Sequence, residues 1–386
     1  MIDSLDILCQ EETIRSIEEL IEVDPASIAL DKRVANARLI ATQVKYLQRA
    51  KGKLPSYYAA RCIIPSRAYE QSSSEATAMS KSLSGGSLLE LTCGLGVDTL
   101  YLSKSFDRVV ALERDAILSQ VARLNFKRLG VSNVEVVNLS AQEYLAQCSE
   151  CFDVVYVDPD RRAVGGERAV RIEDCSPNII ELMPLLEQIS SRVSIKLSPL
   201  FDVDEAFRLF SPSMVEVVSL GGECKEVVVT TASSENILKC CAIGVGEVSI
   251  PLDSVDNRAE SGEFSSEGWE YLITPDVTLQ KSRVACHVMR RYGSIWSNNG
   301  YAFSMSQPPQ EVMGRVERIE SVEEYNPKRL KRVLKERGVK GVEILKRDFP
   351  HPIERIAKQL GVKIGGEQRI AFTTILGRLY SIILKS

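Results

Sequence analysis

The sequence predicts an α/β fold that is organised around residues 87–115. Leu88 to Leu91 is a short, mostly apolar run, typical of a buried strand. A glycine-interrupted turn from Thr92 to Gly96 follows it, and a second apolar run from Arg108 to Leu112 ends in Glu113. Glycine lets a backbone pass close to a ligand, and an acid at the end of the second strand can accept hydrogen bonds from ribose hydroxyls. These features form the front half of a nucleotide-binding α/β unit.

The glycine turn departs from the pattern of dinucleotide sites. Those sites take Gly-x-Gly-x-x-Gly, whereas Gly94 and Gly96 are followed by Asp98 and by no third glycine. Glu90 precedes Gly94 by four residues and completes a Glu-x-x-x-Gly-x-Gly pattern. An anion at this turn would meet Asp98, so the pattern favours a ligand without phosphate. A purely structural turn is the alternative.

The flanking segments supply the remaining elements of an α/β domain. Residues 1–66 are predicted to form a helical region. Ser72 and Glu75 have the spacing of a capping box, which predicts a helix reaching about Leu83. Downstream predictions are an amphipathic helix over Asp115–Leu129, strands over Val134–Val137, Phe152–Val157 and Val193–Leu197, and a second capping box at Ser140 and Glu143.

Two further strands are predicted to close the sheet in the opposite direction. Val215 to Leu220 and Glu226 to Thr231 are apolar runs joined by the short, glycine-containing segment 221–225. A linker this short favours an antiparallel hairpin, because parallel strands need a longer crossover.

The chain after about residue 270 is predicted to form two small α+β modules. A helix is expected over Leu279–Tyr292, and a capped helix over Asn326–Arg337 with proline at its first position. The remaining predicted elements are a strand over Gly341–Leu345, a helix over Ile353–Leu360, and strands over Arg369–Ile375 and Leu379–Leu384.

Composition indicates a globular cytoplasmic protein. No apolar run approaches the roughly 18 residues of a membrane helix, and the acidic start of the chain lacks a signal-peptide layout. The ten cysteines are scattered, which fits a reducing compartment. Cys148 and Cys151 form one Cys-x-x-Cys with no second pair, so we expect no metal site.

Charge is unevenly distributed along the chain. Residues 311–386 hold 17 basic and 10 acidic side chains, against 31 basic and 42 acidic side chains in residues 1–310. A basic module suggests a polyanionic partner, and a solvated lysine-rich surface is the alternative. On the predicted helix after Asn326, the spacing puts four cations on one stripe and the apolar residues on another face. That stripe is a candidate RNA-binding surface: Lys328, Lys331, Arg332 and Lys335.

The motif from Glu90 to Asp98 resembles the first motif of class I S-adenosylmethionine (SAM)-dependent methyltransferases. In these enzymes an antiparallel hairpin also closes a Rossmann-like sheet. The order of motifs is similar to that of a methyltransferase family with C-terminal ferredoxin-like and THUMP-like modules. The resemblance implies a helical region at 1–66, a methyltransferase domain at 67–245, a ferredoxin-like domain at 246–313 and a THUMP-like domain at 314–386. It also implies SAM as cofactor, bound by Glu90, Thr92, Gly94, Gly96, Asp98, Glu113, Ser140 and Asp158.

The segment after the fourth strand of this domain carries the candidate catalytic residues. Asp158-Pro159 resembles the Asp/Asn-Pro-Pro-aromatic motif of enzymes that methylate exocyclic amines of bases. Asp160 replaces the second proline and Arg161 replaces the aromatic residue. The resemblance implies catalytic roles for Asp158, Pro159 and Arg161, since an arginine plane can also stack on a base or grip a phosphate. An Arg–Asp pair that stabilises the loop is the alternative.

THUMP domains occur in RNA-modifying enzymes, so the resemblance implies a SAM-dependent methyltransferase acting on RNA, with tRNA as one candidate. Two alternatives stay open. One is a methyltransferase for a small molecule or a protein. The other is a non-catalytic, SAM-sensing RNA-binding protein. The sequence predicts no membrane partner and gives no prediction of oligomeric state.

Overall fold

The computed structural model describes residues 2–160, 172–211, 213–231 and 234–385. Contacts divide the chain into two compact units. The first comprises Met1–Phe201, Arg208–Ser213 and Val227–Ser234, and the second Asp202–Phe207, Met214–Glu226 and Glu235–Ser386. The domain boundaries expected at 66, 245 and 313 stay predictions.

The first part of the chain alternates helices and strands after a helical start. Its elements are α1 (Ile2–Leu8), α2 (Glu11–Glu19), α3 (Pro25–Leu30), α4 (Ala37–Lys53), α5 (Pro55–Ala59), α6 (Ser66–Gln71), α7 (Glu75–Met79), β1 (Gly85–Glu90), α8 (Val97–Leu102), β2 (Phe106–Leu112), α9 (Ala116–Arg128), β3 (Val134–Val137), α10 (Ala141–Leu145), β4 (Val154–Val157), α11 (Ile179–Ile189), β5 (Val193–Leu197) and α12 (Val203–Phe210).

The rest of the chain is rich in strands. Its elements are β6 (Met214–Leu220), β7 (Glu223–Thr230), β8 (Ile237–Ile243), β9 (Gly246–Pro251), β10 (Tyr271–Pro275), α13 (Val277–Lys281), α14 (Ala285–Met289), β11 (Ser294–Ile295), β12 (Ala302–Ser304), β13 (Gly314–Glu324), α15 (Pro327–Glu336), β14 (Gly341–Lys346), α16 (Ile353–Leu360), β15 (Lys363–Ile364), β16 (Gln368–Ile375) and β17 (Arg378–Leu384). Single 3₁₀ turns lie at Ser103–Ser105, Ile172–Asp174 and Leu252–Ser254.

The sheet of the first unit has the predicted parallel core. Its strands run in the order β3-β2-β1-β4-β5, and each neighbouring pair is parallel. β7 then pairs with β5 in the antiparallel direction, from Leu197↔Val227 to Ser194↔Thr230. Gly221 and Gly222, both at positive φ, make the turn between β6 and β7. The predicted Rossmann-like sheet with an antiparallel closing strand is therefore confirmed.

The N-terminal helices share a hydrophobic core with the first half of this sheet. Ile40, Val44 and Leu47 of α4 are buried in one cluster with Leu95, after β1, and Phe126 of α9. The helical region therefore packs directly against the glycine turn and the helices that flank it.

The second unit contains one complete sheet, in the order β11-β12-β10-β13-β17-β16-β14-β15. β13 joins its two halves, because Gly314 to Arg318 pair with β10 while Ile319 to Glu324 pair with β17. The apolar sides of α15 and α16 pack against β14, β16 and β17. In the same unit β8 pairs with β6 and with β9. None of the helices in the described ranges combines the length and apolarity needed to cross a membrane.

Two local predictions are wrong. Ser74, not Ser72, caps α7, with its side chain accepting a hydrogen bond from the backbone N–H of Thr77, and α7 ends at Met79. The Glu75 carboxylate is unavailable for a capping box because it is buried against other side chains. The predicted helix Leu279–Tyr292 is two short helices, α13 and α14, because the chain turns at Arg283 with φ of 56°.

Candidate active site

The two glycines of the turn after β1 serve different purposes. Gly94 has φ of 58° and Gly96 has φ of 83°, a region that favours glycine. A Cβ on Gly96 would lie 2.5 Å from Cζ of Phe126, whereas a Cβ on Gly94 would meet nothing within 4 Å. Gly96 therefore allows α9 to pack against the turn, while Gly94 keeps the space beside the turn open.

Glu113, at the end of β2, is fixed against this turn. Its Oε2 accepts a hydrogen bond from the N–H of Gly94 at 2.9 Å, and its Oε1 accepts one from the N–H of Asp115 at 2.8 Å. Burial raises the pKa of Glu113, and the two backbone hydrogen bonds oppose that rise. Each carboxylate oxygen can accept a further hydrogen bond, so Glu113 is an oriented acceptor beside Gly94.

Glu90 and Thr92 support the turn from within the sheet. Glu90 is only 1% exposed, and its Oε2 accepts a hydrogen bond from the Thr99 hydroxyl at 2.5 Å. Burial raises the pKa of Glu90 to about 8, although the Thr99 hydrogen bond lowers it. The Thr92 hydroxyl accepts a hydrogen bond from the N–H of Asp158 at 2.8 Å. This contact connects the turn after β1 to the segment after β4.

A cluster of two lysines and two aspartates lies at the carboxyl ends of β4 and β5. The Lys196 ammonium lies 2.5 Å from Oδ2 of Asp158 and 3.4 Å from Oδ2 of Asp98, and Lys81 lies 3.0 Å from Oδ1 of Asp98. Burial would raise the pKa of Asp98, but the charges of Lys196 and Lys81 outweigh it and hold that pKa well below its usual range. We call this set the lysine–aspartate cluster.

Asp158 is the accessible member of the cluster. Its side chain is 36% exposed, against 12% for Lys196, 8% for Asp98 and 4% for Lys81. The buried members are held further by the hydroxyl of Tyr156, which donates to Asp98 at 3.1 Å. Solvent therefore reaches the Asp158 carboxylate, and the ammonium of Lys196 fixes its position.

The other predicted site residues have different surroundings. Pro159 is buried. Ser140 forms the predicted capping box with Glu143 at the start of α10, so its hydroxyl is engaged in the cap. Arg161 lies outside the described residues.

Residues outside the predicted set of catalytic and cofactor-binding residues also border the site. Lys196 and Lys81 hold the two aspartates, and the Lys196 ammonium also donates to the Ser73 hydroxyl at 2.8 Å. Gln71 reaches Asp160 at 3.5 Å. The sequence carries one signal for Lys196: a lysine lies near the end of the mostly apolar strand β5, and a buried lysine requires a partner of opposite charge.

Hydrogen bonds from the N-terminal helices hold the glycine turn and the helix α8 that follows it. The Tyr57 hydroxyl donates to the Leu95 carbonyl at 3.0 Å. The Glu75 carboxylate accepts hydrogen bonds from the Ser56 hydroxyl at 2.8 Å and from the Tyr101 hydroxyl at 2.5 Å. Residues before β1 therefore fix the geometry of the turn that follows it.

α15 has the two faces that its sequence predicts. Leu330 and Leu334 are buried, and the Asn326 side chain caps the helix by accepting from two backbone N–H groups. The α15 basic face is exposed and consists of Lys328, Lys331, Arg332 and Lys335. Within the described residues one member has an ion-pair partner, Glu336, at 3.8 Å from Arg332.

Comparison with known proteins relates both parts of the chain to methyltransferases. A family model described as tRNA (uracil-5-)-methyltransferase matches residues 70–161, and one described as THUMP domain-like matches residues 314–385. A solved structure from Porphyromonas gingivalis W83, described as a candidate methyltransferase, superposes with a TM-score of 0.82 at 25% identity and covers 97% of each chain. The chain has a class I methyltransferase fold and a THUMP-like domain.

Two relatives show how far the sequence similarity extends along this methyltransferase fold. A Mycobacterium tuberculosis (strain H37Rv) protein, named as an uncharacterised SAM-dependent methyltransferase, is 24% identical over 85% of this chain and 90% of its own length. A tRNA/tmRNA (uracil-C(5))-methyltransferase of Neisseria meningitidis (strain Z2491) is 32% identical over 25% of this chain. The match spans 31% of the length of the Neisseria enzyme.

Proposed function

We propose that this chain is a SAM-dependent methyltransferase that acts on RNA. The observation that carries the proposal is the arrangement at the carboxyl ends of the strands. β1 pairs with both β2 and β4, so the open turn at Gly94, the oriented acceptor Glu113 and the accessible Asp158 follow the ends of adjacent strands. Ligands of open α/β sheets bind at this edge.

Two features of the turn support SAM as its proposed ligand. The space beside Gly94 is open, and Glu113 offers lone pairs to the two hydroxyls of a ribose. Bound SAM supplies a methyl group activated by a sulfonium. The proposed cofactor site comprises Glu90, Thr92, Gly94, Gly96, Asp98, Glu113, Ser140 and Asp158. In this proposal Glu90, Gly96 and Asp98 support the cofactor site indirectly, because their contacts hold the turn and the side chains next to it in place.

Asp158 is the proposed acceptor-binding residue. Its Oδ2 is held by Lys196, so Oδ1 is the oxygen that the described contacts leave for a donor group of the acceptor. The ammonium of Lys196 lies 2.5 Å from this Oδ2 and fixes the position of the carboxylate. Lys196 is therefore a positioning residue. The roles assigned to Pro159 and Arg161 stay predictions that rest on the resemblance.

RNA is the proposed substrate for two reasons. The segment that carries the turn and Asp158 matches the tRNA (uracil-5-)-methyltransferase family model, and the C-terminal segment matches a THUMP domain-like model. The α15 basic face lies in that C-terminal segment. It offers four exposed cations, and exposed lysine and arginine side chains are the groups that bind a phosphate backbone. tRNA is the specific RNA that the Neisseria relative suggests.

Transfer of tritium from methyl-labelled SAM tests this proposal. Wild-type protein is incubated with total RNA, and in parallel with protein and small-molecule fractions. We expect label in RNA, and no label when Asp158→Ala replaces the wild type although it still binds SAM in calorimetry. Label confined to the protein or small-molecule fraction would contradict the RNA assignment, and absence of label in every fraction would contradict catalysis.

A further inference from the structure

Helix α4 carries a cationic face within an otherwise acidic N-terminal region. It contains five basic residues and no acidic residue, whereas residues 1–36 hold nine acidic and three basic residues. At about 100° per residue, four of the five cations fall within an arc of roughly 80°. The α4 basic face consists of Arg38, Lys45, Arg49 and Lys53.

The packing of α4 fixes the direction of this face. Ile40, Val44 and Leu47 are buried in the core of the first unit, so the helix cannot rotate. Arg38, Lys45 and Arg49 are exposed, and Lys53 is half-buried. Lys51 is the exception among the five, because it lies on the opposite side of the helix and pairs with Glu22 at 2.7 Å.

Only part of this positive charge is neutralised nearby. Arg49 pairs with Glu70 at 2.5 Å and lies over the rings of Tyr46 and Tyr69. Among the residues that the structure describes, one carboxylate pairs with the four cations, so the face keeps a net positive charge. Successive cations at Lys45, Arg49 and Lys53 are separated by a rise of about 6 Å along the helix axis.

The C-terminal end of the α4 basic face contacts a segment that also contacts the candidate acceptor site. The Lys53 ammonium donates to the Tyr69 carbonyl at 2.7 Å. Two residues further along the same segment, Gln71 reaches Asp160, and Ser73 contacts Lys196. The segment 69–73 therefore connects the α4 basic face to the lysine–aspartate cluster within one unit of the chain.

The electrostatics of Lys53 agree with this placement. Burial lowers the pKa of Lys53 to about 8, and the charge of Lys196 contributes to the same direction. An ammonium whose pKa is lowered by burial and by a neighbouring cation is stabilised by an anion placed beside it. A phosphate on the face would therefore offset an existing repulsion.

We propose that the α4 basic face binds the phosphate backbone of the RNA strand whose nucleotide enters the site beside Asp158. This inference rests on the proposed RNA methyltransferase function. It assigns the N-terminal helical region a direct contact with substrate, in addition to the contacts proposed for the α15 basic face. A face that is only solvated is the competing explanation.

The test uses the full-length chain with Lys45→Gln, Arg49→Gln and Lys53→Gln combined, and Lys51→Gln as the matched control from the opposite side of the same helix. Binding of a fluorescein-labelled, unstructured RNA oligonucleotide is measured by anisotropy at several salt concentrations. We expect the triple variant to lose about tenfold or more in affinity and to flatten the salt dependence by a slope of about 2, since each single-strand phosphate contact contributes about 0.7. Calorimetry should give unchanged SAM affinity for both variants, which shows that each is folded.

The outcomes separate this inference from the proposed function. If wild-type protein methylates RNA and the triple variant matches Lys51→Gln in affinity and salt slope, the α4 assignment is wrong and the proposed function stands. If wild-type protein neither binds RNA nor transfers label to it, the proposed function and this inference fail together. A KM for RNA that rises in the triple variant, with kcat preserved, supports a contact made during substrate approach.

Discussion

The two glycines of the turn after β1 should respond differently to the same substitution. Gly96→Ala places a methyl group against Phe126, which is 3% exposed and cannot move into solvent. Gly94→Ala places the same methyl group into open space. Both positions carry positive φ, so the backbone cost is common to the pair and the steric cost is specific to Gly96.

The magnitudes follow from these two terms. A non-glycine residue in the left-handed region costs about 1–2 kcal/mol. Overpacking a buried site adds about 1–3 kcal/mol. Gly94→Ala should therefore lose about 1–2 kcal/mol of local stability, and Gly96→Ala about 2–5 kcal/mol.

Hydrogen exchange read by mass spectrometry resolves this difference locally. In peptides that cover β1 to α9, exchange from globally protected amides should accelerate about 5- to 30-fold in Gly94→Ala and about 30- to several thousandfold in Gly96→Ala, at about 1.4 kcal/mol per factor of ten. The two variants should rank in the opposite order when the loss of SAM affinity is measured. Gly94→Ala should bind SAM at least about tenfold more weakly, because its methyl group occupies the proposed cofactor space, whereas folded Gly96→Ala should keep most of its affinity.

Equal exchange rates in the two variants would show that Phe126 yields without cost and that the packing argument fails. Equal SAM affinities would show that the open side of Gly94 is not where the cofactor lies.

Three single substitutions and one combined charge reversal give the remaining predictions. Glu113→Ala should weaken SAM binding about tenfold to a hundredfold, the value of a lost charge-assisted hydrogen bond, and unchanged affinity in calorimetry would remove Glu113 from the site. Lys196→Met should lower kcat for methyl transfer and Lys196→Arg should restore part of it, because Lys196 holds Oδ2 of Asp158 by an ion pair; equal losses in the two variants would indicate only a structural role. Glu90→Gln should abolish a pH-dependent loss of stability. Folded Glu90 keeps its proton up to a pKa of about 8 while the unfolded chain releases it near 4.5, so the folded state binds more protons in that window and wild-type unfolding free energy falls as pH rises through it. The prediction is refuted if the unfolding free energy, measured by denaturant titration, changes by the same amount between pH 5 and pH 8 in both proteins. Charge reversal of the α15 basic face should lower RNA affinity and flatten the salt slope by up to about 3, with SAM affinity intact, and a gel shift with wild-type affinity would leave that face merely solvated.

The parts of the fold that were predictable are those with a short-range signal. The apolar runs of β1 to β5, the glycine turn and the acid after β2 follow from periodicity and glycine placement, and the structure contains all of them. The cap of α15 was readable because Asn326 and Pro327 are adjacent in sequence.

The missed features depend on contacts that are distant in sequence. Glu75 had the correct spacing for a capping box with Ser72, but Ser56 and Tyr101 bind its carboxylate instead. The ion pair of Lys196 and Asp158 joins residues 38 positions apart, which only the pairing of β4 with β5 brings together. No local pattern in the sequence indicates such pairs. The family resemblance therefore identified Asp158 as a site residue but did not identify Lys196 as its partner.

The hydrogen bond from Tyr57 to the Leu95 carbonyl has a consequence for how this catalytic segment could be transplanted. The segment that matches the tRNA (uracil-5-)-methyltransferase family model begins at residue 70, yet Tyr57 and Ser56, which secure its turn, precede it. A fragment cut at the edge of that match would keep every residue of the motif and would lose the groups that hold the motif in shape. The segment that keeps this turn in shape is therefore longer than the segment that the family model matches. A grafting experiment should transfer the N-terminal helices together with β1 and its turn.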